Sequence, residues 1–155
     1  MKAPNKCSGP ILLYGSRIPA RCSNIPYTLM AYRISREHFV SLAEQALRDL
    51  PAEFSDYLTN ITIHVEDYPT DDDIRVTGAQ RGHLLGLFRG IEYPEKGGFF
   101  DMAQQLPDRV VLFQRNIEEI CSSEEELGEE IWLTLFHEIG HYFGMTEEEL
   151  RRYEP

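Results

Sequence analysis

Cysteine is scarce in this chain, with only Cys7, Cys22 and Cys121 among 155 residues and no C-x-x-C pair. An odd, widely spaced set excludes a disulfide framework and fits a reducing compartment, so a cytoplasmic location is the default expectation. Long apolar runs are missing as well. The start carries Lys2 and Lys6, but its longest apolar run is Ile11 to Tyr14, shorter than the ~7–15 residues of a signal h-region and far below the ~20 of a membrane span. No membrane partner is expected. Positive charge is in deficit, with 15 Lys and Arg against 26 Asp and Glu and a net charge of -11. Phosphate-binding surfaces need clustered bases, so nucleic acid is not an expected partner either. The deficit is local: Asn116 to Leu150 holds eleven acids and no Lys or Arg, and the remainder balances at 15 against 15.

What is present reads as one domain, since about 100–200 residues make a single core and 42% of these are hydrophobic. Residues 1–33 contain Pro4, Pro10, Pro19 and Pro26 without helical or strand period and read as an irregular tail, followed by a domain over 34–155. Met30 almost immediately precedes the first periodic segment, and residues 1–29 are expected to be dispensable. Ser35 caps an expected helix with Phe39, Ala43, Ala46, Leu47 and Leu50 on one face, and Pro51 ends it while opening a short turn toward Leu58. Ile61, Ile63 and Val65 alternate with Thr62, His64 and Glu66, as in a half-buried strand. Asn60-Ile61-Thr62 matches a glycosylation acceptor and reads as chance. Glu66 to Asp73 reads as an acidic loop, His83 to Gly90 as a strand with a glycine bulge, Gly97-Gly98 as a turn and Arg109 to Gln114 as a strand. The order of elements predicts an α+β fold.

Ser123 and Glu126 form an expected capping box opening a long helix whose buried stripe is Leu127, Ile131, Leu135 and Ile139, with Gly144 as a left-handed stop. That helix carries His137-Glu138-Ile139-Gly140-His141, an H-E-x-x-H motif, for which this composition predicts only ~0.02 chance copies. Residues four apart share a helix face about 6 Å apart along the axis, so two imidazoles can meet one zinc ion. Glu138, rotated by about 100°, is better placed to take a proton from a zinc-bound water than to ligate. A third ligand is needed. Thr146 and Glu149 form a second capping box, which sets Glu147 at the first position of a short helix, facing back toward the histidines. Glu148 and Glu149 are its rivals; Glu149 is occupied by capping and Glu148 points about 100° away. Two neutral histidines and a carboxylate leave one open zinc position, as hydrolysis requires.

The run from Thr134 to Glu147, Thr-Leu-Phe-His-Glu-Ile-Gly-His-Tyr-Phe-Gly-Met-Thr-Glu, closely resembles the short bacterial zincin-like metallopeptidase family, or minimal zincins. Leu106 to Phe113, Leu85 to Phe88 and Val65 to Pro69 agree with it, and the resemblance covers about residues 35–150. It implies a zincin-like fold in which a small mixed sheet packs against an N-terminal helix and the long motif-bearing helix. It further implies one Zn2+ per chain on His137, His141 and Glu147, Glu138 as general base, and a peptide or protein substrate. Only eight residues follow Glu147, too few for the C-terminal subdomain of full-size zinc proteases, so the alternative is a non-catalytic, zinc-stabilised interaction module. A bacterial endoribonuclease pattern, H-x3-H-x5-H, fits poorly because Glu147 replaces its third histidine and the charge repels RNA.

Other residues read more plainly. His38 and His64 are expected to be ordinary surface or strand histidines, His83 to be structural, Trp132 and Phe136 to fill core, and Tyr142 to pack rather than to serve an oxyanion. Gly140 is either a tolerated helix glycine or room for a close backbone or substrate. The acidic run 124–130 reads first as a solvated, well-capped helix start; the alternative is a field that favours basic peptides.

Overall fold

In a computed structural model, which describes residues 31–55, 58, 61–89 and 108–153, the first helix is α1 (Arg36–Arg48). Its start is local chemistry: the Ser35 hydroxyl accepts from the His38 amide at 3.2 Å, a cap of about 1 kcal/mol. Phe39, Ala43 and Ala46 are buried on one face. After Pro51 comes the single turn of α2 (Ala52–Ser55). Strand β1 (Ile61–Glu66) lies parallel to β3 (Asp108–Phe113), and β2 (Gly86–Arg89) pairs antiparallel on the other side, giving the order β1-β3-β2. The sheet is thus small and mixed.

Its central place in the sheet explains why β3 carries the apolar run Val110 to Phe113. Val110 and Leu112 face the main core with Phe39, Ala43, Leu127, Ile131, Leu135 and Ile139, whereas Val111 and Phe113 join Leu84 and Leu87 on the opposite face. A strand covered on both faces has no polar side to alternate with. The helices that supply most of the main core are α1 and the 19-residue α5 (Glu124–Tyr142). This is the α+β arrangement of sheet, N-terminal helix and motif helix.

Two expected segments are corrected. Glu66 to Asp73 is not one acidic loop: Glu66 ends β1, and α3 (Asp71–Thr77) follows. The Thr70 hydroxyl accepts from the Asp73 amide while Asp73 Oδ2 accepts from the Thr70 amide at 2.8 Å, a reciprocal box that starts a helix out of acidic residues. Gly78 ends it at φ +69°. Nor is there a bulge after His83 among the described residues, which in this segment end at Arg89. His83 ends a short 3-10 turn, Arg81–His83, and β2 keeps regular register from Gly86 opposite Leu112 to Arg89 opposite Arg109. Residues 1–30, Asn60 and the Gly97-Gly98 turn lie outside the described residues.

A helix with no earlier expectation, α4 (Gln114–Ile120), follows β3 directly and anchors residues 32–34. Glu118 is fully buried and accepts from the Ile34 amide, Gln114 Nε2, Arg33 and Arg115 at 2.8–3.1 Å, and the Tyr32 amide donates to the Cys121 carbonyl at 2.9 Å. Tyr32 and Arg33, assigned to the tail by composition, are therefore docked. At the start of α5 Ser123 accepts from the Glu126 amide, but the Glu126 carboxylate turns to Ser122, taking both its amide and its hydroxyl. The expected box is shared between two serines. Glu124 meets Tyr32 and His38, in keeping with a solvated, capped helix start.

Further along α5, Glu130 Oε1 is buried with no hydrogen-bond partner among the described residues, and burial pushes its carboxyl up to about 7. A raised acid binds its proton more tightly when folded, so stability falls as pH climbs from about 4.5 to 7. Glu130→Gln should therefore raise the melting temperature at pH 8 by several degrees and leave it almost unchanged near pH 4.5. Parallel melts at the two pH values check this; equal shifts at both would refute it.

Candidate metal centre

The long helix ends by a sequence-encoded device. Phe143 is its cap, the Gly144 amide donates to the His141 carbonyl at 2.9 Å, and the Met145 amide donates to the Gly140 carbonyl at 3.0 Å. With Gly144 at φ +76°, this is a Schellman stop, in which only glycine adopts the left-handed turn without strain. It reverses the chain onto α6 (Glu147–Leu150), whose start is the reciprocal box of Thr146 and Glu149. Helix period and two capping motifs thus bring Glu147 back over the face that carries His137 and His141.

The result is a tight group. His137 Nε2 and His141 Nε2 are 2.9 Å apart, and Glu147 Oε1 lies 3.0 Å from His141 Nε2 and 3.4 Å from His137 Nε2. Among the described residues this is the one set of three His, Cys, Asp or Glu side chains able to hold a metal ion; His38, His64 and His83 lie outside it. Tetrahedral zinc, with bonds of ~2.0–2.1 Å, spaces its donors by about 3.3 Å. The three observed separations scatter around that value, and two imidazoles with one carboxylate are suitable zinc donors. Both imidazoles are buried, while the Glu147 side chain remains 43% exposed.

Glu138 lies off this group, as the helix period requires. Its Oε2 accepts from the backbone amide of Phe88 in β2 at 3.0 Å. Burial is the main force that raises its carboxyl, to about 7; the charge of Glu147 adds to the rise and the Phe88 bond opposes it. Sequence reasoning missed this backbone donor, which lies 50 positions away. In place of the glycine bulge expected within His83 to Gly90, Gly86 marks a close approach. A Cβ there would stand 2.6 Å from Thr134 Cγ2 and 3.3 Å from Glu138 Cγ, so the glycine lets β2 approach α5 closely enough for Phe88 to reach Glu138. A glycine within a strand signals either a bulge or a close approach, and here it is the approach.

The residues around the group are committed to packing. The Tyr142 hydroxyl donates to Asp108 Oδ2 at 3.0 Å and its ring lies on Phe88 at 4.7 Å. Trp132 stacks on Phe136 at 5.1 Å, and Phe136 in turn meets Phe54 and Tyr153. No described helix is long and apolar enough to cross a membrane.

The family model for zincin-like metallopeptidases matches residues 58–154, which span β1 through α6. No curated protein matches the chain.

Proposed function

Because the chain belongs to the zincin-like metallopeptidase family, we propose that it is a zinc-dependent peptidase in which His137, His141 and Glu147 hold one metal ion and Glu138 is the general base. The observation that carries this reading is the convergence of three donor atoms from the end of α5 and the start of α6, with Glu138 on the adjoining helix face held by the Phe88 amide. Zinc, when bound there, supplies a Lewis acid that polarises a carbonyl and lowers the pKa of water to about 7.

The chain's own residues do the rest. Glu138 takes a proton from the attacking water as its oxygen bonds to the peptide carbonyl carbon. It returns that proton to the amine nitrogen as the C–N bond breaks, so the base ends as it began. The Phe88 amide fixes the carboxylate for this transfer, because a hydrogen-bonded oxygen cannot swing away with the side-chain torsions. The acid-rich surface near α5 would concentrate peptides that carry Lys or Arg.

Metal content tests the reading. Mass spectrometry of the purified protein should find one zinc per chain, lost in His137→Ala and in Glu147→Ala. A mixed peptide library should be cleaved by the zinc form, spared after chelation, and cleaved again once zinc is restored. Zinc retained in the Glu147 variant would force a different third ligand, and cleavage that persists after chelation would sink the mechanism. Zinc bound without any cleavage, together with a large fall in melting temperature on chelation, would make the metal a structural tie between α5 and α6.

A further inference from the structure

We infer that Gly140 is a positioning residue for the metal site: the space left by its missing side chain seats Leu150, and that seat sets where α6 presents Glu147. The inference rests on the reading of Glu147 as a ligand. Gly140 lies within α5, one residue before His141, where glycine costs about 1 kcal/mol against alanine. Its backbone is not left-handed, unlike that of Gly78 and Gly144, so conformation gives no reason for glycine here. Space does. A Cβ on Gly140 would fall inside the van der Waals envelope of Leu150 Cδ2, with Leu150 Cγ at 3.4 Å and Met145 Sδ at 3.5 Å.

Leu150 is fully buried and stands three residues after Glu147 in a helix of only four residues. A single turn cannot hold itself in place, because helix nucleation is unfavourable without tertiary contacts. Its position is therefore set from outside: at the start by the Schellman stop, whose Met145 amide donates to Gly140 itself, and at the end by Leu150 in the glycine seat. Residues i and i+3 share a helix face, so the side chain that enters the seat and the carboxylate that faces the histidines move together. Displacing Leu150 tilts α6 and takes Glu147 Oε1 from its place 3.0 Å from His141.

An alanine at 140 makes opposite changes in two observables. It favours helix in α5, and it crowds Leu150 away from the site. The experiment is zinc affinity of the full chain, measured by competition with a chromophoric chelator. Gly140→Ala should bind zinc about 10–100-fold more weakly, the usual size for an outer partner of a metal ligand. In a Glu147→Ala background, where His137 and His141 leave only weak affinity that survives competition but not purification, the same methyl should cost almost nothing further, because its route to the metal is gone. In a Leu150→Ala background it should again cost almost nothing, since the side chain that it would strike has been removed. This second background also answers the case in which Gly140→Ala alone fails to fold.

A normal zinc affinity in Gly140→Ala beside a weakened Glu147→Ala would overturn this inference alone. So would an undiminished loss in either background, which would show that the methyl acts by another route. An unaffected Glu147→Ala would overturn the ligand reading, and this inference with it.

Discussion

Replacing Glu138 by Gln is expected to lower kcat/KM for peptide hydrolysis by about 10²–10⁴-fold, the usual contribution of a general base, while one zinc per chain is retained. The two side chains have the same shape, and the amide oxygen of Gln can still accept from the Phe88 amide that now holds Glu138 Oε2 at 3.0 Å. Geometry therefore survives. What is lost is the ability to take a proton from water, because an amide is not a base near neutral pH. His137, His141 and Glu147 are untouched, so metal content should match the wild type within error. Steady-state hydrolysis beside metal analysis of the same samples measures both halves. Hydrolysis at the wild-type rate would remove Glu138 from the mechanism, and loss of zinc would make it a ligand instead.

The largest stability effect is expected at Glu118, far from the metal group. Glu118→Ala should destabilise the fold by about 2–4 kcal/mol, the cost of losing hydrogen bonds to a charged group and stranding buried donors, and lower the melting temperature by roughly 5–15 °C. The carboxylate is fully buried and binds Arg33, Arg115, Gln114 and the Ile34 amide. Its loss frees the 32–34 segment from α4 and strands a backbone donor. Burial alone would raise the carboxyl, but the hydrogen bonds from Gln114, the Ile34 amide, Arg33 and Arg115 outweigh it and hold the pKa below the usual range. A depressed acid stabilises the fold above its unfolded pKa of about 4.3, and that contribution disappears as pH falls through the folded value. The gap between wild type and Glu118→Gln should thus be wide at pH 7 and narrow steadily below about pH 4. Denaturant titrations at pH 7 and pH 3.5 measure it. A gap that stays constant, or widens in acid, would contradict the charge-based account.

The metal group was the most legible part of this chain because each step toward it is short-range. The H-E-x-x-H spacing, the glycine stop and the Thr146–Glu149 box each involve residues within about five positions of one another, and helix period converts that spacing into geometry. Helix α3 is equally local, with its Thr70–Asp73 box in plain view, yet a run of acids suits a solvated loop as well, and only the reciprocal cap distinguishes the two. Helix α4 has no such signal. It begins on the residue after β3, and Phe113 supplies no side-chain cap; what holds it is the burial of Ile117 and the contacts of Glu118 with residues more than 80 positions away.

The sequence by itself determined the α+β class, the motif helix and the convergence of His137, His141 and Glu147, since caps and helix period act through neighbouring residues. Tertiary structure alone decided which contacts hold those residues in place. Phe88 reaches Glu138 only because Gly86 admits β2 against α5. Leu150 finds its seat at Gly140 only because the chain reverses at Gly144 and buries it there. In both cases what matters is the space at a glycine, and a glycine's empty side becomes a contact only when another part of the chain is packed into it.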